Sequence, residues 1–453
     1  MVFEATLSHR KMREVLLFKD LQWKTFVLFL SGLCMLTFVA STLRAETITV
    51  NSTADGPVGV CDASECTLRE AIVRANNLAG PDIVVVPAGS YVITHLGTDD
   101  GAMVGDLDII GDLLIVGEDW PTTTVSGSSQ DRIFDIRPGA TVVIRRLSVM
   151  LGYSAQGGGI RNGGDLTLDE TFVGLNESTQ HGGGIYSEGP LRIERSAIFS
   201  NEASGWGAGI YAYEGPLVIV ECTISSNTAG QEGGGIDASF SGSEILIERS
   251  LITNNEVLGG LGGGAIKVFT GSPYEPIAVT VRNTTVTGNT TPGGVDADIV
   301  FINPVQVNFI HATLATTGPE LIFAGVGTEY VKFSNSIVQG LCTGGSLAYV
   351  SEGGNVESTG DSCGFGAADL TNVSAGDLGL LSMMNNGGPT STRGLGTGSV
   401  ALGFGIPSSC EAQDQRTLMR DDGACDAGAF EAGATTSALI FADGFEDGDT
   451  LGW

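Results

Sequence analysis

The side chains able to move protons or hold a cation are few, and they fall in two kinds of place. Glu188, Asp237 and Lys267 each follow a short glycine-rich corner. Carboxylates brought together in a groove, or a carboxylate beside a basic group, are what hydrolysis or elimination on a sugar chain requires. These three are the first residues to test for catalysis. The second place is the acidic run Asp99, Asp100, Asp106 and Asp108. Its oxygens are of the kind that bind Ca²⁺, although a solvated acidic loop explains the same residues. Histidine offers little. After residue 45 only His95, His181 and His311 occur, none with a Ser or Cys partner at a recognisable spacing. His181 precedes a glycine corner and His311 takes an outward repeat position, so both read as surface residues. No triad, zinc motif or nucleotide fingerprint emerges. No cofactor is expected, with Ca²⁺ the one ion the residues could accept.

These residues are placed by a repeat. Segments Leu166–Asn176, Leu191–Asn201, Leu217–Asn227, Ile245–Asn255 and Val279–Asn289 align without gaps, their starts 25, 26, 28 and 34 residues apart. Weaker copies start at Val142, Val307 and Val331. Positions 1 and 3 are aliphatic, position 6 is small and position 8 is aliphatic again. Alternation with period two means a strand with one face inward. The phase slip between positions 3 and 6 calls for a bend joining two short strands. Position 11 is Asn176, Asn201, Asn227, Asn255 and Asn289. Asparagine tolerates a left-handed backbone, and stacked copies would form an amide ladder. Because like residues recur once per coil, like should stack on like, so the expected fold is an all-β right-handed parallel β-helix.

The repeat absorbs several residues that look chemical. Position 5 reads Arg146, Glu170, Arg195, Glu221, Arg249 and Asn283. Stacking would set each charge between opposite ones and fix the register, a better account of these glutamates than catalysis. Cys222 stands in the small inward column and reads as a buried, unpaired thiol. The Gly-Gly-Gly-Ile corners do not continue into a phosphate-binding pattern.

The ends differ from the middle. Basic residues and then the apolar run Phe26–Ala40 mark residues 1–45 as a signal peptide, with Met1 or Met12 as the start. The formal charge of −30 becomes −33 once that segment, with six basic and three acidic residues, is removed. Such a surface repels nucleic acid and anionic lipid. No second hydrophobic span follows, so no transmembrane span is expected in the mature chain. Thr67 and Glu70 form a capping box, and Leu68, Ala71, Ile72 and Ala75 make an apolar stripe, so a short helix should cover the first coil. Sequence proximity suggests disulfides Cys61–Cys66, Cys342–Cys363 and Cys410–Cys425, though spacing alone does not fix connectivity.

The segment Cys66-Thr-Leu-Arg-Glu-Ala71 resembles the signature of the bacterial CSLREA domain, with Thr67 in place of Ser. The glycine corners and turns are similar to polymorphic outer-membrane protein repeats. Asn386-Gly-Gly-Pro-Thr390, Asp414-Gln-Arg416 and Cys425-Asp-Ala-Gly-Ala-Phe-Glu431 resemble the choice-of-anchor Q domain of surface β-helix proteins, from whose usual G-S-P-A the run Gly398-Ser-Val-Ala401 departs. The resemblance covers most of residues 46–431 and implies a secreted or surface-attached bacterial β-helix with no agreed catalytic residues, and the tail Phe441–Trp453 resembles the short terminus of exported proteins of some Gram-negative bacteria. The expected order is a signal peptide (1–45), an N-terminal cap and first coils (46–135), β-helix repeats (136–345), an anchor-like region (346–431), and a linker with an acidic tag (432–453). The expected function is a non-catalytic, adhesion-related or carbohydrate-binding rod, acting as a monomer on cell-envelope components or polysaccharide. The alternative is a polysaccharide lyase or glycoside hydrolase working along a lateral groove.

Overall fold

The computed structural model describes residues 45–435, apart from 240–243, 261, 271–275, 292–297, 304, 326, 345–348 and 421–422. All but the last residue of the expected signal peptide, and nearly all of the acidic tag, lie outside the described residues. One coil serves for the rest: β1 (Ile160–Asn162), β2 (Asp165–Asp169), β3 (Phe172–Gly174) and β4 (Glu177–His181). Each pairs in parallel with its counterpart in the next coil. Ile160 faces Ile185, Leu166 faces Leu191, Val173 faces Ile198 and Glu177 faces Glu202. The β2 column forms a 12-stranded sheet running from Thr47–Thr49 to Tyr349–Ser351, and the β4 column a five-stranded one. The chain is a right-handed parallel β-helix.

The phase slip in the repeat is a left-handed residue between β2 and β3. Arg146, Glu170, Arg195, Glu221, Arg249, Asn283, His311 and Asn335 all have φ between 45° and 60°. Each such non-glycine residue costs about 1 kcal/mol. The turn it makes lets the alternation on both sides face one core, so Leu168 before it and Val173 after it are fully buried. The second turn departs from expectation. There the left-handed residue is Leu175, Ser200, Ser226, Asn254 or Gly288, one position before each ladder asparagine. The asparagine turns inward instead, and its backbone N–H and its amide both serve the next coil.

That ladder is continuous. The Nδ2 groups of Asn176, Asn201, Asn227 and Asn255 donate to the Oδ1 of the next asparagine at 3.0, 2.9, 2.8 and 2.9 Å. Each also donates to a carbonyl of the preceding coil, as Asn201 does to Val173 at 3.1 Å. A parallel hydroxyl ladder holds position 6: the N–H of Thr171 donates to Ser196 Oγ, and that of Ser250 to Thr284 Oγ1. Cys222 stands in this column, fully buried and unpaired, and burial pushes its thiol up to about 12.

Helix α1 (Leu68–Asn76) caps the first coil. The Glu70 N–H donates to Thr67 Oγ1 at 3.2 Å, and the Thr67 N–H to Glu70 Oε2 at 2.9 Å. Leu68, Ala71, Ile72 and Ala75 pack on the core, and Arg69, almost fully buried, bonds Asp55 at 2.6 Å. At the other end the stack runs past residue 345, with Val356–Ser358 and Leu370–Val373 as its last β3-type strands. The chain then turns back along the stack. Ala429 N–H donates to Thr313 Oγ1, Arg420 to Asn283 Oδ1, Thr285 to Gln415 Oε1 and Thr390 to the Arg249 carbonyl. The disulfides are Cys61–Cys66, Cys342–Cys363 and Cys410–Cys425.

This returning segment overturns the surface reading of His311. The residue does occupy outward position 5, but Glu411 and Cys425 of the returning segment lie against it and it is fully buried. Its Nε2 takes the Glu411 N–H at 3.3 Å, and burial pushes its pKa down to about 3. His181 is half-buried against Trp206 rather than free in solvent. The charge ladder holds in part. Arg146 meets Glu170 at 3.9 Å and Arg249 meets Glu221 at 3.2 Å, while Arg195 turns to Asp169 at 2.5 Å and Glu194 at 3.3 Å, on position 4.

Candidate functional site

The middle residue of each β1-type strand points outward, and in seven successive coils it is polar or aromatic. Asp108, Asp135, Arg161, Tyr186, Tyr211, Asp237 and Lys267 stand directly above one another in the parallel register. The glycine corner sets this line. At φ of +61°, Gly233 turns the chain from the β4 column into the β1 column, and a Cβ there would meet Asp237 at 2.5 Å. Only glycine leaves room for the column to stack so close to the corner.

The structure brings Asp237 and Lys267 together, with Nζ 3.9 Å from Oδ2, too long for a hydrogen bond. Glu232 joins them by contacting the Lys267 amine. Asp237 is wholly buried. It receives the Ser239 hydroxyl at 2.7 Å on Oδ1, and its Oδ2 has no hydrogen-bond partner. Burial raises its pKa to about 7 and lowers that of Lys267 to about 8. Both groups thus titrate near neutrality, the range in which proton transfer is most effective. Glu188 is placed apart, half-exposed and paired with Arg161 at 2.8 Å.

Rings lie against these groups. His181 stacks on Trp206 at 4.5 Å and on Tyr211 at 5.0 Å, and Tyr186 stacks on Tyr211 at 5.3 Å. The Lys267 amine sits 5.8 Å from the Trp206 ring. Sequence reasoning missed Glu232 and Trp206 as site residues. A signal was present: both, like His181, stand just before a glycine corner and so form a column beside the first.

The four aspartates do not converge on one point. Asp99 takes the Met103 and Val104 N–H groups, Asp100 meets Arg137 at 3.1 Å, and Asp106 meets Arg132 at 2.7 Å. Asp108 is buried, and burial together with Asp106 raises its pKa to about 7. Arg137 also reaches Asp108 at 3.6 Å and Asp135 at 3.1 Å, so a guanidinium stands among these carboxylates. Among the described residues, the His/Cys/Asp/Glu grouping tight enough for a metal is His311, Cys410 and Cys425. Its two sulfurs are joined in a disulfide and supply no thiolate. No helix among the described residues is long and apolar enough to cross a membrane.

The stacked parallel coils define the class of molecule, a right-handed parallel β-helix, and comparison agrees with that fold. The family model described as the right handed beta helix region matches residues 137–305. Among solved structures, the chain is similar to the crystal structure of pectate lyase Pel9A, with a TM-score of 0.52 and 16% identity, over 86% of this chain and 97% of that one. A second likeness is to the Azotobacter vinelandii mannuronan C-5 epimerase AlgE6 A-module, with a TM-score of 0.23 and 15% identity, over 67% and 87% of the two chains. At 16% identity the likeness to the pectate lyase structure concerns the fold alone. No curated protein matches the chain.

Proposed function

We propose that the protein is a secreted or surface-attached, polysaccharide-binding rod of a Gram-negative cell envelope, with its glycan lying along the β1 column. The observation that carries this reading is the unbroken seven-coil line from Asp108 to Lys267, flanked by the His181–Trp206–Tyr211 stack. Aromatic faces pack on the C–H face of a sugar ring, a role open to the part-exposed His181 and Trp206, and the part-exposed Arg161 and Glu188 would bond its hydroxyls. The named action of the pectate lyase on a polysaccharide supports the reading, as do the CSLREA-like and anchor-like ends. Binding of the full chain to immobilised polysaccharides, with and without Ca²⁺, tests it. Trp206→Ala should weaken retention about tenfold; retention unchanged by that variant counts against the groove. Cell fractionation with surface proteolysis tests the location.

The pairing of Asp237 with Lys267 favours a second reading, in which the same groove cleaves its glycan. It predicts turnover of a polysaccharide that Asp237→Asn and Lys267→Met abolish while binding persists. Binding without turnover leaves the rod as the function.

A further inference from the structure

A second cleft lies at the bend between the β2 and β3 columns, and its lining shares no residue with the groove. It encloses about 660 Å³ and is lined by Trp120, Arg146, Glu170, Arg195, Glu221 and Pro389. The Trp120 ring stacks on Phe172 at 5.5 Å with planes 12° apart, and Phe199 continues the row at 6.1 Å. Trp120 is 43% exposed and Phe199 39%. Large rings left in water in a stacked row are not a requirement of the core, which is complete beneath them with Val149, Val173 and Ile198 fully buried.

The local structure holds this platform still. The Trp120 carbonyl accepts the Ser148 hydroxyl, the Glu118 carbonyl accepts the Arg146 guanidinium, and the Thr123 N–H closes the turn onto Asp119 at 2.8 Å. Gly174 stands where neighbouring coils carry Met150 and Phe199, and a Cβ there would meet the Phe172 ring at 2.4 Å. The missing side chain is what allows that ring to lie flat along the stack. Above the platform runs the position-5 ladder. Arg146, Glu170 and Arg195 are each 42–46% exposed, so their free donors and acceptors alternate from coil to coil. The coil spacing of about 4.8 Å is close to the length of one sugar unit.

We propose that this cleft is a second saccharide site, taking an uncharged glycan with a pyranose ring against the exposed part of Trp120, which Phe172 backs, and its hydroxyls bonded to Glu170, Arg146 and Arg195. An uncharged ligand is favoured because the mature chain carries −33, which repels a polyanion at long range. The inference stands apart from the groove reading, since it uses none of the groove's residues.

The test titrates the full chain with cello-, xylo- and mannohexaose, with hexagalacturonate as the charged comparison, by calorimetry and tryptophan fluorescence. At least one uncharged hexaose should bind. Trp120→Ala should weaken it about tenfold, Glu170→Gln severalfold, and Trp206→Ala less than about twofold, with melting temperatures unchanged. Wild-type affinity in Trp120→Ala, binding of the uronate alone, or no binding across the panel overturns the proposal. Loss on Trp206→Ala without loss on Trp120→Ala overturns it while leaving the groove reading intact.

Discussion

At the scale of single residues, Asp237 makes the most exacting claim. A carboxyl whose folded pKa is about 7 is more easily kept protonated in the fold than in the unfolded chain, where it titrates near 4. Its contribution to stability is therefore full below about pH 4 and is lost as pH rises through 7. Lys267, lowered only to about 8, is charged in both states over most of that window and adds little slope. Tyr211 and Ser239 also face Asp237, and Glu232 reaches it through the shared Lys267 amine. Asp237→Asn should thus flatten the fall in unfolding free energy between pH 4 and 8 by on the order of 4 kcal/mol, read from urea unfolding at each pH. An unchanged slope means that Asp237 is solvated. Residue types alone named this aspartate and its lysine, because the repeat placed both behind a glycine corner. They did not give the burial of either group, since burial depends on Trp206 and Glu232 in the adjoining column, one coil away.

At the scale of elements, the columns outweigh the strands. A three-residue strand such as Ala197–Phe199 has little stability of its own, and the asparagine ladder ties each coil to the next through buried bonds. Asn201→Ala should remove the amide that bonds the Val173 carbonyl and the oxygen that accepts the Asn176 backbone N–H and one of its Nδ2 hydrogens inside the core. Each unmet buried group costs about 1–3 kcal/mol, so a loss of about 2–5 kcal/mol is expected in chemical denaturation. Asn289→Ala likewise removes the acceptor of Asn255 but interrupts no onward bond to a further asparagine, and should cost somewhat less. Equal losses would mean that the ladder contributes residue by residue rather than as a chain. The columns are legible in the amino-acid sequence, because identical types recur at one spacing. What the spacing does not show is which residue takes the left-handed turn. At the bend the charged residue does, Glu170 for example, and at the second turn it is Leu175, not Asn176. Asparagine's tolerance of that backbone is a sound guide, but the internal amide ladder claims the side chain first.

At the scale of the whole molecule, charge and topology act together. A chain carrying −30 repels itself, and salt screens that repulsion beyond about 10 Å at 0.1 M. Raising NaCl from about 20 mM to about 500 mM should raise the melting temperature by several degrees, as followed by circular dichroism. A fall would mean that local pairs such as Arg69–Asp55 and Arg420–Glu431 dominate over the net field. Most of the architecture is readable from composition and period. The burial of His311 is not, because the segment covering it lies about 100 residues further along the chain and shares no period with the coils.

The returning C-terminal segment has a consequence for how such a chain can change length. It touches the stack at Arg249, Thr285, Asn283 and Thr313 in a fixed order, spanning a set number of coils much as a ruler spans a set number of divisions. A coil gained or lost by duplication before Arg249 leaves every mark on that ruler aligned. The same event between Asn283 and Thr313 shifts the marks by one coil, uncovers His311 and strands the buried arginine–carboxylate pairs. Growth and shortening are therefore tolerated before Arg249, where most of the groove line and most of the cleft lining lie, while Lys267, Pro389 and the C-terminal end stay constant.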